Sequence, residues 1–207
     1  MTDVSILDYN MGNISSVKRK VEKLGFSCEL ISSSNEILNA KKLILPGVGH
    51  FKKAMTYIKD YGLDKTLNHV VLEKKTPILG ICLGMQLMCS HSEEGDIQGL
   101  GWFDAKVTKI NIKDQLRFRT PHIGWNKIRF KNSTPFNNSI CDESEFYFVH
   151  EYCVKEAKQN EIMCETIYES NFVSALYREN IYGVQFHPEK SHKIGGDLIK
   201  NFLEIKC

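Results

Sequence analysis

Between positions 78 and 88 the chain reads Ile78-Leu79-Gly80-Ile81-Cys82-Leu83-Gly84-Met85-Gln86-Leu87-Met88. A short apolar run, read as a strand, passes straight into a helical period with no loop between them. The same alternation governs the whole first half. Val4-Ser5-Ile6-Leu7 reads as a strand, and Ile14, Val17, Val21 and Leu24 then recur at helical spacing, with Asn13 as N-cap and Gly25 as stop. A second strand is expected over 26–31 and a third at Leu43-Ile44-Leu45, ended by Pro46-Gly47. Phe51, Ala54, Met55 and Ile58 mark one more amphipathic helix, and Leu67, Val70 and Val71 another. Strands alternating with helices predict a parallel α/β sheet with right-handed crossovers.

After about Gly95 the rhythm changes. Segments 106–112, 127–130, 146–150, 161–168, 172–177 and 181–186 are short and strand-like, with Glu179-Asn180 closing a hairpin. A terminal helix carries Leu198, Ile199, Phe202 and Leu203. No repeat or linker divides the halves, so one domain over 1–207 is expected, parallel first and more antiparallel later.

Composition narrows the classes. The 207 residues are 42% hydrophobic and 10% aromatic, enough for a substantial core and against disorder. Lys+Arg number 27 against 25 Asp+Glu, too balanced to argue for nucleic acid. No apolar run approaches the ~20 residues of a membrane span, and the first ten residues lack signal-peptide character. Seven cysteines at 28, 82, 89, 141, 153, 164 and 207 form no regular framework. Free thiols in a reducing compartment, in a soluble cytoplasmic protein, are the expectation.

Among those thiols Cys82 stands apart. Glycines at −2 and +2 permit the sharp turn of a nucleophile elbow, and a helix start beyond it favours a thiolate. The same residue reads equally well as a small buried hydrophobe. A nucleophile needs a base and an orienting group, and His187-Pro188-Glu189 at a strand end offers both. By itself that triplet is also an ordinary polar strand end. Cys89 is read as lying inside the helix after Cys82, and Cys28, Cys153 and Cys164 as structural residues on strands. The glycine-flanked turn Pro46-Gly47-Val48-Gly49 lacks the Lys-Ser/Thr of a phosphate loop. His187 and His192 lack metalloprotease spacing, and no Cys/His quartet has ligand spacing, so no metal is expected.

In that order, Pro46-Gly47-Val48-Gly49, Gly80-Ile81-Cys82-Leu83-Gly84-Met85-Gln86 and His187-Pro188-Glu189 resemble the class I, triad-type glutamine amidotransferases. More narrowly, Asp8-Tyr9-Asn10-Met11-Gly12-Asn13, Pro121-His122-Ile123-Gly124-Trp125-Asn126 and stretches 92–95, 147–152 and 183–191 are similar to glutaminase subunits of imidazole glycerol phosphate synthase. The resemblance implies a three-layer α/β fold, a mostly parallel central sheet with flanking helices, and additional antiparallel strands in the second half. It implies glutamine as substrate and no cofactor. Cys82 would be the nucleophile, His187 the base and Glu189 its orienter. Val48, Gly49 and Leu83 would supply the oxyanion hole, with Gln86, Glu94, His150, Glu151 and Tyr152 around the substrate. Without the resemblance, Gln86 and Glu94 read as surface polar residues.

The implied partner is a (β/α)8-barrel cyclase subunit in histidine biosynthesis. It would form a heterodimer through Asn13, Ile123, Trp125, Tyr147 and Lys190 and receive ammonia from this chain. Trp125, placed in a Gly-Trp-Asn loop, reads as an interface anchor or as an ordinary core tryptophan. Because glycines flank Val48, its peptide plane is free to rotate, which predicts a glutaminase nearly silent without its partner. Glu151 departs from the family, which usually has Ser there, and the basic Leu116-Arg117-Phe118-Arg119 stretch has no assigned role. An alternative is a paralogue feeding ammonia to a sugar-modifying partner in surface-polysaccharide synthesis. From other classes, a Cys peptidase, a redox sensor and a non-catalytic binding subunit remain open.

Overall fold

The computed structural model describes residues 2–205; Met1 and the expected thiol at Cys207 lie outside the described residues. Its first half alternates as β1 (Val4–Leu7), α1 (Ile14–Lys23), β2 (Cys28–Ile31), α2 (Ser34–Asn39), β3 (Leu43–Gly47), α3 (Phe51–Asp60) and α4 (Leu63–Asn68). A π-helical turn at His69–Glu73 leads on to β4 (Ile78–Cys82) and α5 (Leu83–Leu87). The second half adds β5 (Cys89–Ser92), β6 (Ile97–Gln98), β7 (Phe103–Lys109), β8 (His122–Lys127), β9 (Arg129–Phe130), β10 (Glu145–His150) and β11 (Tyr152–Val154). It closes with β12 (Ile162–Tyr168), β13 (Ser170–Arg178), β14 (Ile181–Val184) and α6 (His192–Glu204).

The main sheet runs β2-β1-β3-β4-β14-β13-β11-β7-β5-β6. From β2 through β14 every neighbour is parallel. Beyond β14 the order turns antiparallel through β13, β11 and β7, and β5 then rejoins parallel to β7. β12 and β9 extend off β13. β8 and β10 form a separate antiparallel pair. Strands buried on both faces need apolar residues at every position, which is why Ile78–Cys82 reads as an unbroken run.

Alternate strand residues feed two cores, one on each face. Leu43, Leu45 and Ile78 pack with Phe51, Met55 and Leu67 from α3 and α4. Ile44, Leu79 and Ile81 pack on the opposite side with Val17 and Val21 of α1 and Leu198 and Phe202 of α6. Each such side chain contributes about 1.5–3 kcal/mol by leaving water. The result is three layers, helices on both faces of the sheet.

Several elements differ from the sequence reading. Helix α2 is capped by Ser33, whose side chain accepts from the Glu36 amide while Glu36 reaches back. The Ser-x-x-Glu signature was there, but a six-residue helix has too short an apolar period to stand out. Cys89 lies in no helix. α5 stops at Leu87 and Cys89 opens β5, because pairing with Phe103 of β7 outcompetes local helix propensity. The strand expected over 106–112 sits at Phe103–Lys109, and that expected over 127–130 divides between β8 and β9. Trp125 is therefore in a strand, not a loop.

Candidate active site

Cys82 ends β4 with φ 53° and ψ −106°, a backbone conformation that an L-residue adopts only under constraint. The flanking glycines explain how it is reached. A Cβ on Gly84 would collide with the Leu45 carbonyl, and one on Gly80 would lie 2.8 Å from the Gly84 carbonyl carbon and the Met85 nitrogen. Only hydrogen at both positions lets α5 fold back against β3 and β4. The elbow is thus a packing consequence of the Gly-x-Cys-x-Gly spacing.

His187 and Glu189 follow β14, the parallel neighbour of β4. Glu189 Oε1 is 2.8 Å from His187 Nδ1, and the two side chains are 1% and 2% exposed. The backbone of His187 is held on both sides. Its N–H donates to the Tyr147 carbonyl at 2.8 Å, and its carbonyl accepts from Ser191 Oγ at 2.7 Å. Nε2 is buried without a hydrogen-bond partner, leaving it available toward Cys82. Burial pulls the imidazole pKa down, but the Cys82 sulfur and the bond to Glu189 outweigh it and raise it to about 10.

The sulfur opens on a cavity of about 220 Å³, below the range typical of drug-sized ligands and matched to a small one. Its walls gather Cys82, Val48, Gly49, Leu83, Gln86, Glu94, His150, Glu151 and Tyr152, together with Pro121 and Val149. The turn at Val48–Gly49 is braced from the loop after β1. Tyr9 donates its hydroxyl to the Pro46 carbonyl at 2.7 Å, and Gly12 lies so close that a Cβ would meet the Val48 nitrogen at 2.7 Å. Gly49 itself has φ +136°. Glu94 accepts from the Phe51 amide at 2.7 Å, fixing the start of α3 to the pocket rim.

Glu151 points its carboxylate to Lys109 at 2.9 Å, while its carbonyl accepts from the Ile110 amide. The negative charge at a position where a small residue was expected is thereby paired at the rim. Gln86 Nε2 donates to the Tyr152 carbonyl at 2.9 Å and to Gln185 Oε1 at 3.0 Å. Gln185 had no role in the sequence reading. It is fully buried, and its Nε2 lies 3.6 Å from Cys82 Sγ. Its position two residues before His187, in a strand end entering the site, was the one available signal.

Behind the pocket lies a pair of buried histidines. His150 Nδ1 donates to the Tyr152 carbonyl at 2.9 Å, so its Nε2 accepts from His122 Nδ1 at 3.0 Å. Burial lowers the His150 pKa to about 3 and that of His122 to about 4, so both rings are neutral. Tyr168 stacks on His122 at 3.9 Å and bonds through its hydroxyl to the Arg119 backbone. Phe118 packs edge-on to Tyr168 at 5.0 Å, while Leu116 is 97% exposed.

Four of the five expected interface residues form one patch. Ile123 and Trp125 lie two apart on β8, Trp125 pairs in register with Tyr147 of β10, and Lys190 Nζ sits 5.7 Å over the Tyr147 ring. Trp125 is 44% exposed and stacks on His192 at 4.8 Å, so it is not a core tryptophan. Asn13 is exposed and accepts from the Ser16 amide at the start of α1, which packs against the 188–190 turn. Among the described residues no group of three or more His, Cys, Asp or Glu could hold a metal ion, and no helix is long and apolar enough to cross a membrane.

Residues 5–205 match the family described as Glutamine amidotransferase class-I. The chain is 45% identical over 201 residues to the imidazole glycerol phosphate synthase subunit HisH 2 of Methanococcus maripaludis, covering 97% of this chain and 98% of that one. It is 41% identical to the corresponding HisH subunit of Pelagibacter ubique, over 98% of this chain and 100% of the relative. Among solved structures, one described as a glutamine amidotransferase superposes with a TM-score of 0.73 at 18% identity, covering 97% of both chains. A putative GMP synthase protein from Thermoplasma acidophilum gives 0.73 at 20% identity, over 97% of this chain and 91% of that one. At such identities the structural likeness speaks for the fold.

Proposed function

The chain belongs to the class I glutamine amidotransferase family, and from that premise we infer that it is the glutaminase subunit of an imidazole glycerol phosphate synthase, serving histidine biosynthesis. The observation that carries this reading is the buried His187–Glu189 pair beside a cysteine on a strained elbow, at the mouth of a small cavity. Relatives bearing that subunit's name match nearly end to end, which favours the histidine-pathway acceptor over a sugar-modifying one. We assign all of 1–207 to one glutamine amidotransferase domain in the cytoplasm.

In the proposed reaction the Cys82 thiolate attacks the side-chain amide carbon of glutamine. The carbonyl π pair moves onto oxygen, where the Leu83 and Val48–Gly49 peptides supply donors. Collapse of that oxyanion breaks the C–N bond, and the His187 imidazolium gives its proton to the leaving nitrogen, releasing ammonia. The neutral imidazole then takes a proton from water. The hydroxide attacks the thioester, the C–S bond breaks, and glutamate leaves with Cys82 restored as thiolate. Glu189 keeps Nδ1–H occupied, so that Nε2 is the ring atom facing the reaction. Gln86 and Glu94 carry acceptor oxygens suited to the substrate ammonium, and His150, Glu151 and Tyr152 line the wall facing them.

Ammonia released here needs an acceptor before it is lost to solvent. The proposed partner is a (β/α)8-barrel cyclase in a heterodimer, docking on Ile123, Trp125, Tyr147, Lys190 and Asn13. The combined enzyme would act as a lyase on its sugar-phosphate substrate. The test is glutamate release from glutamine by the chain mixed with a cognate barrel subunit, using wild type and Cys82→Ser. Release by wild type and none by the variant is expected; equal release by both would remove Cys82 from the chemistry.

A further inference from the structure

The sulfur of Cys82 lies at the edge of a buried polar network, and a negative charge developed there in the reaction has to be met by donors. His187 follows β14 with its Nε2 buried and without a hydrogen-bond partner. Among the described residues, the side chain that donates a hydrogen bond to the sulfur is Gln185, whose Nε2 lies 3.6 Å from Sγ, a hydrogen-bonding separation for an acceptor as large as sulfur. The opposite end of that amide is fixed: Oε1 accepts from Gln86 Nε2 at 3.0 Å. Gln86 is pinned in turn by the Tyr152 carbonyl at 2.9 Å, which also accepts from His150 Nδ1. With Oε1 held as an acceptor, the amide cannot flip, and its N–H groups have to face the sulfur.

We propose that Gln185 is a second donor to the nucleophile, acting beside His187 to hold the Cys82 thiolate in place and stabilise it. Resting on the glutaminase reading for what that thiolate attacks, the proposal adds a residue to the reaction's machinery. It also gives Gln86 a further task, which is to set the orientation of the Gln185 amide. Charge-assisted hydrogen bonds of this kind are the strong ones. The remaining titratable groups near the sulfur are Tyr9, whose burial and proximity to Cys82 raise its pKa, and His150, which is neutral. Glu94 and Glu151 stand farther along the pocket wall. None of these supplies a donor to sulfur in the structure.

The test reads the thiol directly and requires no glutamine. Alkylation of Cys82 by iodoacetamide is followed by mass spectrometry across pH in wild type, Gln185→Met and Gln185→Glu. Methionine keeps the length and loses the donor. Glutamate keeps the length and the bond from Gln86 but turns an acceptor oxygen toward the sulfur. Alkylation at pH 7 should fall about tenfold in both, the factor carried by one hydrogen bond to a charged group, and should converge with wild type at alkaline pH. In glutamine hydrolysis with the partner, kcat should fall with KM little changed. Near-UV circular dichroism identifies which variants are folded, and either folded variant suffices. A folded variant alkylated at pH 7 at the wild-type rate would overturn the proposal. Absence of glutamine hydrolysis by wild type would instead overturn the glutaminase reading and leave the alkylation result standing.

Discussion

The peptide N–H of His187 donates to the carbonyl of Tyr147 at 2.8 Å, tying the proposed base to the strand that carries the proposed partner face. Ser191 completes the link, because its hydroxyl accepts from the Tyr147 amide at 3.0 Å and donates to the His187 carbonyl. A partner pressing on Trp125 and Tyr147 therefore acts on the backbone that positions the imidazole. The braced turn at Val48–Gly49, held by Tyr9 and Gly12, is the second place where such pressure can reach the pocket.

Trp125→Ala should leave the fold intact, since the ring is half exposed and no core packs on it. Binding of the barrel subunit should weaken by more than about tenfold, as expected for an aromatic anchor at the centre of a patch. Stimulation of glutamate release should fall with it. Titrating the partner against variant and wild type checks both, and equal stimulation curves would exclude this patch as the docking face.

His187→Ala should lower partner-stimulated kcat by roughly four orders of magnitude, because the proton donor to the leaving nitrogen is lost. Glu189→Gln should cost less, as it retains a group that can bond to Nδ1 while losing the charge that favours the imidazolium. Steady-state glutamate assays order the two. Wild-type rates in both variants would be incompatible with a triad.

The two buried histidines make stability depend on pH in a defined direction. His122 and His150 are neutral in the fold, with pKa values lowered to about 4 and about 3 from an ordinary 6.5. The unfolded chain therefore binds their protons first as pH falls. Their contribution is complete above pH 6.5 and is lost on the way down to about 4 and about 3, at up to about 1.4 kcal/mol per pH unit for each ring. Urea unfolding of wild type and His122→Phe at several pH values measures this, and the variant should show the shallower slope below pH 6.5.

Gly84→Ala should be disproportionately harmful for one methyl group. The added Cβ meets the Leu45 carbonyl, a backbone atom of a buried strand that has no room to yield. A loss of about 1–3 kcal/mol in unfolding free energy is expected from overpacking, with slower labelling of Cys82 as the elbow opens. Chemical denaturation and thiol labelling report the two effects separately. An unperturbed elbow in this variant would contradict the packing explanation of the glycine spacing.

What the sequence determined by itself was local and repetitive. Apolar periods placed β1, α1, β4 and α6 because each buries a continuous face whose pattern is written in consecutive residues. The Gly80-x-Cys82-x-Gly84 spacing marked the elbow, and the Ser33-x-x-Glu36 capping signature was legible in four consecutive residues. What only the tertiary structure decided depended on pairing across distance. Cys89 entered β5 rather than the helix because β7 was there to pair with it. Glu151 turned to Lys109 because β7 and β11 run side by side, and Gln185 reached the Cys82 sulfur because β14 lies parallel to β4. No periodicity records such meetings, since each energy belongs to two residues far apart in the chain.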